Sequence, residues 1–307
     1  MGKIAFLYPG QGAQKVHMGQ DFYEQSSVAK ELFEMADQVL DFDVKQVCFE
    51  ENSLLDQTAY TQAAMVTTCL AMTAEFLKHG IKPDVTAGLS LGEYAAIAVA
   101  GGMSYADAIH LVRIRGILME EAVPDGKGAM AAVLGMDARK IEELIKERAD
   151  VSVANYNCPG QIVITGMKDA VEEAMEDLVA AGSKRCIRLN VSGPFHSEFM
   201  KEAAEKLRDH MQQIPFQELE LPYVTNVTAE YIHEAEKIED LLVCQMVSPV
   251  RWMQSIEKMI AEGVDTFVEI GPGKTLSGFV KKINSEVHVY HVETIEQIGE
   301  VICQIEK

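Results

Sequence analysis

The sequence predicts an α/β fold in which a second, smaller α/β unit interrupts the main one. Strand-length apolar segments alternate with helical segments towards both ends of the chain. The middle of the chain follows the order β-α-β-β-α-β, which is the ferredoxin-like pattern. We therefore expect residues 1–126 and 194–307 to form one discontinuous α/β domain, and residues 127–193 an inserted ferredoxin-like subdomain. Asp125-Gly126-Lys127 and Ser192-Gly193-Pro194 are the predicted hinges.

Composition and charge exclude several classes of function. The net charge of -20 argues against nucleic acid or an anionic membrane as the main partner. No apolar run reaches the ~18 residues that span a bilayer, and the first residues lack the pattern of a signal peptide. The six cysteines are dispersed without a C-x-x-C pair, which predicts free thiols and no zinc site. We therefore expect a cytoplasmic protein.

The chain begins with a predicted buried strand at Ile4–Tyr8, which Pro9-Gly10-Gln11-Gly12 ends. Glycines on both sides of Gln11 permit unusual backbone angles and expose N–H groups to a ligand, although the same residues also suit a plain loop. A helix over residues 62–79, with Thr61 as its N-cap, is predicted to lead into the next strand.

Residues 85–92 form the pattern of a nucleophile elbow, a sharp turn between a strand and a helix that presents a nucleophilic side chain. Gly88 and Gly92 stand two residues on either side of Ser90, where a Cβ would collide with the crossing backbone. The N-terminus of the helix would place backbone N–H groups beside Ser90 to stabilise an oxyanion. An ordinary turn is the alternative interpretation.

Arg115 falls on the apolar stripe of the next predicted helix, which begins after Ser104 and ends near Ala122. A guanidinium on an inward face is costly unless an anion meets it. That anion is either a structural Asp or Glu or the carboxylate of a substrate. Arg113, two positions away, is predicted to point elsewhere.

The remaining elements are predicted from the same periodicities. In the insertion they are a strand over 129–134, a helix over 137–148, strands over 151–156 and 161–165, a helix over 169–180 and a strand over 185–191. A strand over 223–227, a helix over 236–246, a helix opened by Ser248-Pro249 and a strand over 266–270 follow. The strand over 266–270 is followed by Gly271-Pro272-Gly273-Lys274, which lacks the spacing of a P-loop and predicts a tight turn.

His196 is the histidine whose position best suits catalysis. It lies on the loop between the last strand of the insertion and a helix that is predicted to begin near Ser197. A helix N-terminus disfavours the imidazolium and so keeps the ring neutral, as a general base must be. Most other histidines occupy predicted helices or a polar loop, and His288 and His291 face opposite sides of a strand.

Five motifs together resemble those of the malonyl-CoA:acyl-carrier-protein transacylases. They are Pro9-Gly10-Gln11-Gly12, the run from Gly88 to Tyr94, Arg115-Gly116, the run from Gly193 to Ser197, and the run from Glu269 to Lys274. Each is weak alone, but the five occur in the family's order and spacing over nearly the whole chain. The resemblance implies a hydrolase-like α/β domain with a ferredoxin-like insertion.

The resemblance also implies roles for the residues that act on the reacting carbonyl. Ser90 would be the nucleophile and His196 its general base. The backbone N–H groups of Gln11 and Leu91 would form the oxyanion hole. Gln245 would orient the histidine through its backbone carbonyl, in place of the carboxylate of a catalytic triad.

Further implied roles concern the choice of substrate. Arg115 would bind the malonyl carboxylate, which accounts for an arginine on an inward face. Phe195 matches the malonyl-selective pattern. Leu89 departs from the family, many members of which have histidine there. Because Leu89 is not the base, we expect the chemistry to be kept.

The implied activity is transfer of a malonyl group from coenzyme A to the phosphopantetheine thiol of acyl carrier protein, in fatty-acid synthesis. It would proceed through an acyl-serine, with malonyl-CoA and acyl carrier protein as partners and with no metal or bound cofactor. We expect a monomer with a closed cleft between the two units, since the acyl-serine has to resist water.

Three alternatives share parts of this pattern. A serine esterase or thioesterase would have the same elbow, but an inward Arg115 favours an acyl group that carries a carboxylate. A non-catalytic scaffold could keep a vestigial elbow. Within the family, the carrier protein could serve polyketide rather than fatty-acid synthesis.

Two basic clusters are candidates for docking an acidic carrier protein. Because the net charge of -20 opposes such docking, a local basic patch has to overcome the repulsion. The candidates are Lys184, Arg185 and Arg188 in the insertion, and Lys274, Lys281 and Lys282 after the Gly-Pro-Gly turn. Scattered, solvated basic side chains are the alternative.

Overall fold

The computed structural model describes residues 2–124, 126–191 and 193–306, which fold around two β-sheets. Asp125 and Ser192, the first residues of the predicted hinges, lie outside these ranges. The strands are β1 (Lys3–Tyr8), β2 (Val85–Gly88), β3 (Gly128–Leu134), β4 (Val151–Cys158), β5 (Gln161–Met167), β6 (Arg185–Arg188), β7 (Tyr223–Val224), β8 (Tyr231–Ile232), β9 (Val264–Ile270) and β10 (His288–Val292). The helices are α1 (Gln20–Gln25), α2 (Ser27–Val39), α3 (Val44–Phe49), α4 (Thr58–Leu77), α5 (Gly92–Val99), α6 (Tyr105–Glu121), α7 (Ala138–Ile145), α8 (Lys168–Ala180), α9 (Lys201–Met211), α10 (Ile238–Val247), α11 (Trp252–Ala261), α12 (Thr275–Ile283) and α13 (Ile295–Ile305).

The larger sheet has the strand order β10-β9-β1-β2-β7-β8 and is parallel except where β7 pairs with β8. Successive side chains of β1 enter two different cores: Phe6 and Tyr8 pack on one face of the sheet, Ala5 and Leu7 on the other. A parallel sheet covered on both faces needs strands that are apolar throughout. This explains the unbroken apolar run at Ile4–Tyr8.

The smaller sheet is antiparallel, with the strand order β4-β5-β3-β6. Side chains of β3 alternate between a core beneath this sheet, which Ala131 and Val133 enter, and the main core, which Met130 and Ala132 enter. Together with α7 and α8 the strands follow the predicted ferredoxin-like order. The predicted fold class, an α/β domain with a ferredoxin-like insertion, is therefore confirmed. The domain boundaries around residues 126 and 193 stay a prediction.

Several predicted element boundaries differ from the structure: β7 ends at Val224 rather than residue 227, and the helix predicted to open at Ser248-Pro249 begins only at Trp252. Helix α4 begins at Thr58, so Thr61 is not its N-cap; the Thr61 hydroxyl donates instead to carbonyls of the preceding turn, 2.6 Å from that of Leu55. A short 3₁₀ helix at Glu198–Met200 follows His196, and α9 begins only at Lys201. Strand β6 ends at Arg188 rather than residue 191.

The relation between the two sheets defines the position of the site. Residues that follow β1 and β2 line one cavity together with side chains of β3, β4 and β5. Parallel α/β sheets bind ligands beyond the carboxyl ends of their strands, which is where this cavity lies. None of the helices described is both long and apolar enough to cross a membrane.

Candidate active site

Ser90 occupies a strained turn between β2 and α5. Its φ is 52°, in the left-handed region that residues other than glycine rarely adopt. A Cβ on Gly88 would lie 1.9 Å from the Gly92 carbonyl carbon, and a Cβ on Gly92 would lie 2.2 Å from the Tyr8 carbonyl oxygen. Only glycine fits at these two positions, so strand and helix approach closely enough to present the Ser90 hydroxyl.

Ser90 and His196 form a hydrogen-bonded pair, although they are far apart in sequence. The Ser90 Oγ lies 2.7 Å from His196 Nε2, and His196 Nδ1 lies 2.8 Å from the Gln245 carbonyl oxygen. This carbonyl is in the last turn of α10, and the residue four positions on is Pro249, which has no N–H to offer it. Nδ1 therefore donates to Gln245, which leaves Nε2 to accept the Ser90 proton.

The surroundings of His196 keep its ring neutral. Burial lowers the pKa of His196 to about 4, and the positive charge of Arg115 lowers it further in the same direction. The helix predicted to begin near Ser197 starts as a 3₁₀ helix at Glu198, and its effect on the ring stays a prediction.

Arg115 is fully buried on α6, and its guanidinium faces the nucleophile. Nη2 lies 3.2 Å from the Ser90 Oγ and 3.0 Å from Gln245 Oε1, and Nη1 lies 2.8 Å from Gln62 Oε1. Its carbon Cζ is 5.3 Å from the centre of the Tyr94 ring. Among the residues described, no Asp or Glu forms an ion pair with Arg115. Side-chain amides hold the guanidinium, in the place of the structural carboxylate that was one of the two predicted alternatives.

Arg113 points away from this site, as predicted. Its side chain forms an ion pair with Asp41 at 2.7 Å, donates to the Ala59 carbonyl at 2.8 Å and lies over the Phe42 and Tyr60 rings. It is nevertheless buried. The two arginines of α6 therefore have separate environments, and Arg113 offers a matched comparison for Arg115.

Gln11 and Leu91 border the same cavity as Ser90. In the described part of the chain, neither backbone N–H donates to a protein acceptor. The Gln11 side chain is held by the Thr58 hydroxyl, 3.0 Å from its Nε2. Two backbone donors therefore remain for an oxyanion beside Ser90.

Asn226 is a functional candidate that the sequence analysis did not identify. Its Oδ1 accepts from the Ser90 N–H at 2.6 Å, and its Nδ2 donates to the Gly88 carbonyl at 2.7 Å. One buried amide thus ties both sides of the elbow together. The available signal was a polar residue just after β7, at the carboxyl edge of the parallel sheet.

Gln62 and Glu93 were also missed as members of the site. Gln62 is a buried amide on the apolar helix α4 and holds Arg115. Glu93 is fully buried three residues after Ser90 and contacts the Gln245 side chain. A long amide side chain among the small and apolar residues of α4 was the signal for Gln62, and the acidic residue directly after Gly92 was the signal for Glu93.

The cavity between the two sheets has a volume of about 230 Å³. Side chains of the insertion supply one wall, and Phe195 and Leu89 lie on its border, close to the reacting pair. The insertion contributes Met130, Ala132, Asn155, Asn157, Gln161 and Val163. No cluster of three His, Cys, Asp or Glu side chains placed to hold a metal ion occurs in the ranges described.

Comparisons with known proteins give a consistent result. The family model of the acyl transferase domain matches residues 5–302. The chain is 48% identical over 304 residues to the malonyl CoA-acyl carrier protein transacylase of Bacillus subtilis (strain 168), with 96% of each protein covered. The structure of the transacylase of the same name from Clostridium perfringens has a TM-score of 0.95 at 42% identity, covering 99% of this chain and 97% of that one. A malonyl-transacylase solved in complex with a type II PKS acyl-carrier protein has a TM-score of 0.95 at 37% identity, with 98% and 99% covered.

Proposed function

The chain belongs to the acyl transferase domain family, and we propose that it transfers a malonyl group from coenzyme A to acyl carrier protein in fatty-acid synthesis. The observation that supports this most is the buried Arg115, whose Nη2 lies 3.2 Å from the Ser90 Oγ. An esterase would have no use for a buried guanidinium held by neutral amides beside its nucleophile. An acyl group that ends in a carboxylate supplies the missing anion.

In the first half of the reaction, Ser90 becomes acylated. The Ser90 Oγ attacks the thioester carbonyl carbon of malonyl-CoA while His196 Nε2 takes the hydroxyl proton. The backbone N–H groups of Gln11 and Leu91 stabilise the negative oxygen of the tetrahedral intermediate. The carbon–sulfur bond then breaks, and His196 returns the proton to the sulfur of the departing coenzyme A.

In the second half, the carrier protein takes the acyl group. The phosphopantetheine thiol gives its proton to His196, and its sulfur attacks the carbonyl carbon of malonyl-Ser90. The carbon–oxygen bond breaks, and the proton passes from His196 to the Ser90 oxygen. Atoms and charges balance, and no step needs an oxidant or a reductant. The proposal includes no metal and no bound cofactor; coenzyme A enters only as part of the substrate.

The strained elbow and the Gln245 carbonyl let this reaction proceed with two side chains. The carbonyl oxygen at 2.8 Å from Nδ1 fixes the ring and its tautomer, as an aspartate does in a triad. Unlike the aspartate of a triad, this carbonyl places no full negative charge against the ring.

A covalent adduct tests the proposal. Incubation with malonyl-CoA should add one malonyl group to Ser90 of the wild type and none to Ser90→Ala, as read by mass spectrometry of the intact chain and its peptides. Subsequent addition of acyl carrier protein should remove the adduct and add the same mass to the carrier. An active wild type that shows no adduct, or one on another residue, would refute the acyl-serine. A wild type that transfers nothing would instead favour the scaffold alternative.

The oligomeric state and the cellular location are also part of the proposal. We propose that the protein is a monomer. The cysteines in the described ranges are free, which supports the predicted cytoplasmic location. Light scattering of the purified protein measures the first, and fractionation of cells measures the second.

A further inference from the structure

Glu93 is a buried acid with no role in the reaction as described so far. It lies in the first turn of α5, three residues after Ser90, and its exposed fraction is 0%. No Lys or Arg forms an ion pair with it among the residues described. A carboxylate in such a place is costly unless hydrogen bonds replace its hydration, so the contacts it makes indicate its use.

Those contacts are concentrated on one oxygen. Glu93 Oε2 accepts from Gln245 Nε2 at 2.6 Å and from the Asn226 backbone N–H at 3.2 Å. Oε1 is buried, and no hydrogen-bond partner for it is found in the described part of the chain. Glu93 Oε2 is therefore one of the acceptors that set the orientation of the Gln245 amide.

The Gln245 amide in turn holds Arg115. With Nε2 directed at Glu93, Gln245 Oε1 is directed at Arg115 Nη2, 3.0 Å away. Nε2 also donates to the Ser90 carbonyl at 3.0 Å. A reversed amide would place its NH₂ group against the guanidinium and its oxygen against Glu93 and the Ser90 carbonyl, so three hydrogen bonds would become three repulsions.

From this chain of contacts we propose that Glu93 is a positioning residue for substrate selection. It fixes the Gln245 amide, and the amide fixes the guanidinium that receives the malonyl carboxylate. The inference rests on the proposed function. It adds that selectivity depends on a residue that does not touch the substrate.

The protonation state of Glu93 does not alter this role. Burial raises the pKa of Glu93 to about 7. Hydrogen bonds from Gln245, Thr225 and Asn226 and the charge of Arg115 act in the opposite direction. A proton on Oε1 would leave both bonds that Oε2 accepts in place. Glu93→Gln reproduces this neutral form, since its amide oxygen can still accept both bonds.

The test measures selectivity, defined as the ratio of kcat/KM for malonyl-CoA to that for acetyl-CoA. Glu93→Leu removes the acceptor, and Gln245→Met removes the amide but keeps the backbone carbonyl that holds His196. Each should lower the ratio about tenfold, as expected from loss of one charge-assisted hydrogen bond. The double variant should lower it no further, because both changes act through one chain of contacts. Glu93→Gln should stay within about threefold of the wild type.

A matched control separates this role from general damage. Glu269 is another fully buried carboxylate, which accepts from the Leu276 and Ser277 N–H groups at 3.0 and 2.7 Å, away from Arg115. Glu269→Gln should leave the ratio unchanged, whatever it does to stability.

Several results would overturn the inference. One is that Glu93→Leu lowers kcat/KM for malonyl-CoA and for acetyl-CoA by the same factor. Another is that the double variant lowers the selectivity ratio by the product of the two single effects. A third is that Glu93→Gln lowers the ratio as much as Glu93→Leu does. If Glu93→Leu does not fold, an unchanged ratio in Gln245→Met overturns it. A wild type that does not transfer malonyl refutes the proposed function and this inference with it, whereas an active wild type with unaffected variants refutes this inference alone.

Discussion

Arg115 is the residue on which, under the proposed function, the choice of acyl group depends. Its guanidinium is fully buried, and its Nε has no hydrogen-bond partner in the described ranges. Two amide oxygens and the Ser90 hydroxyl satisfy only part of its five donors. A carboxylate is a stronger acceptor than a hydroxyl or an amide, so the guanidinium can exchange one of these partners for the malonyl carboxylate.

Removing this guanidinium should abolish the preference for malonyl. A hydrogen bond to a charged group contributes ~1.5–3 kcal/mol, so the wild type should disfavour acetyl-CoA by at least ~10-fold. Arg115→Ala should lose malonyl turnover while acetyl turnover holds or rises, and Arg115→Lys should restore only part of the preference. The measurement is kcat/KM for both thioesters.

Arg113→Ala is the control for that series. Because Arg113 is buried against Asp41 and two aromatic rings, its removal should cost stability yet leave selectivity unchanged. Equal slowing of both thioesters by Arg115→Ala would show that Arg115 is structural and would remove the main support for malonyl as the substrate.

The low pKa of His196 should let Ser90 react down to an unusually low pH. We call the pH below which its reaction rate falls the acid limit. The ring accepts a proton only when it is neutral, and burial lowers its pKa to about 4. The rate at which Ser90 reacts with an uncharged sulfonyl fluoride should therefore be constant above about pH 5 and fall roughly tenfold per pH unit below about pH 4. Using an uncharged reagent excludes titration of the malonyl carboxylate from the profile.

Removing the charge of Arg115 tests what lowers the pKa of His196. Because this charge also lowers the pKa of His196, Arg115→Ala should move the acid limit to higher pH. A wild-type midpoint near the ordinary histidine value of about 6.5 would contradict the burial argument. An unmoved midpoint in Arg115→Ala would contradict the electrostatic one.

At the scale of elements, the contact between α4 and α6 sets where Arg115 stands. Gly116, the next residue, faces the start of α4, where an added Cβ would lie 2.7 Å from the Thr58 carbonyl oxygen and 2.9 Å from the Ala59 Cα. Both are backbone atoms that cannot swing aside. The missing side chain thus lets α6 approach α4 closely enough for Gln62 of α4 to reach Arg115.

Gly116→Ala should therefore separate the two helices. We expect it to lower the free energy of unfolding by ~1–3 kcal/mol and to reduce the malonyl preference, because Arg115 moves with the backbone. Urea unfolding and the two kcat/KM values measure these effects. Gly299 of α13 is the control, since nothing lies within 4 Å of its added Cβ.

Gly299→Ala should raise stability by up to ~1 kcal/mol through helix propensity alone. If Gly116→Ala behaves in the same way, the close approach of α4 and α6 is not needed. If it loses stability but keeps its selectivity, the position of Arg115 does not depend on that approach.

At the scale of the whole molecule, charge has to be distributed so that an acidic partner can dock. The net charge is -20, yet Lys274 immediately precedes the end of α12 that borders the cavity. Lys281 and Lys282 lie in the last turn of the same helix. Among the described residues these three lysines form no ion pair; in the other cluster Arg188 pairs with Glu172 at 2.7 Å, while Lys184 and Arg185 form none. We favour the α12 cluster because its helix also borders the cavity.

Reversing the charge of Lys274, Lys281 and Lys282 to Glu should raise the KM for acyl carrier protein about tenfold at low salt, and the difference should shrink as salt increases. Steady-state transfer to the carrier at several ionic strengths measures this. The matched control reverses Lys30, Lys146 and Lys237, which are exposed and do not border the cavity. An equal KM in both triple variants would refute the docking patch.

What the sequence determined by itself was local or periodic. The apolar run of β1, the two glycines around Ser90 and the inward position of Arg115 each depend on neighbours within one element, and all three are found in the structure. The order of the insertion was predicted for the same reason, since hydrophobic periodicity reflects the pleat of a strand and the turn of a helix.

What only the tertiary structure decided were the contacts between distant segments. Asn226 meets Ser90 across 136 residues of sequence, and Gln245 meets Glu93 across 152. No periodicity within a segment encodes such a pair. These polar groups come together because several elements end at one edge of the larger sheet, where each buried donor and acceptor must find its partner. The orientation of Arg115 depends on that shared edge, which exists only after the chain has folded.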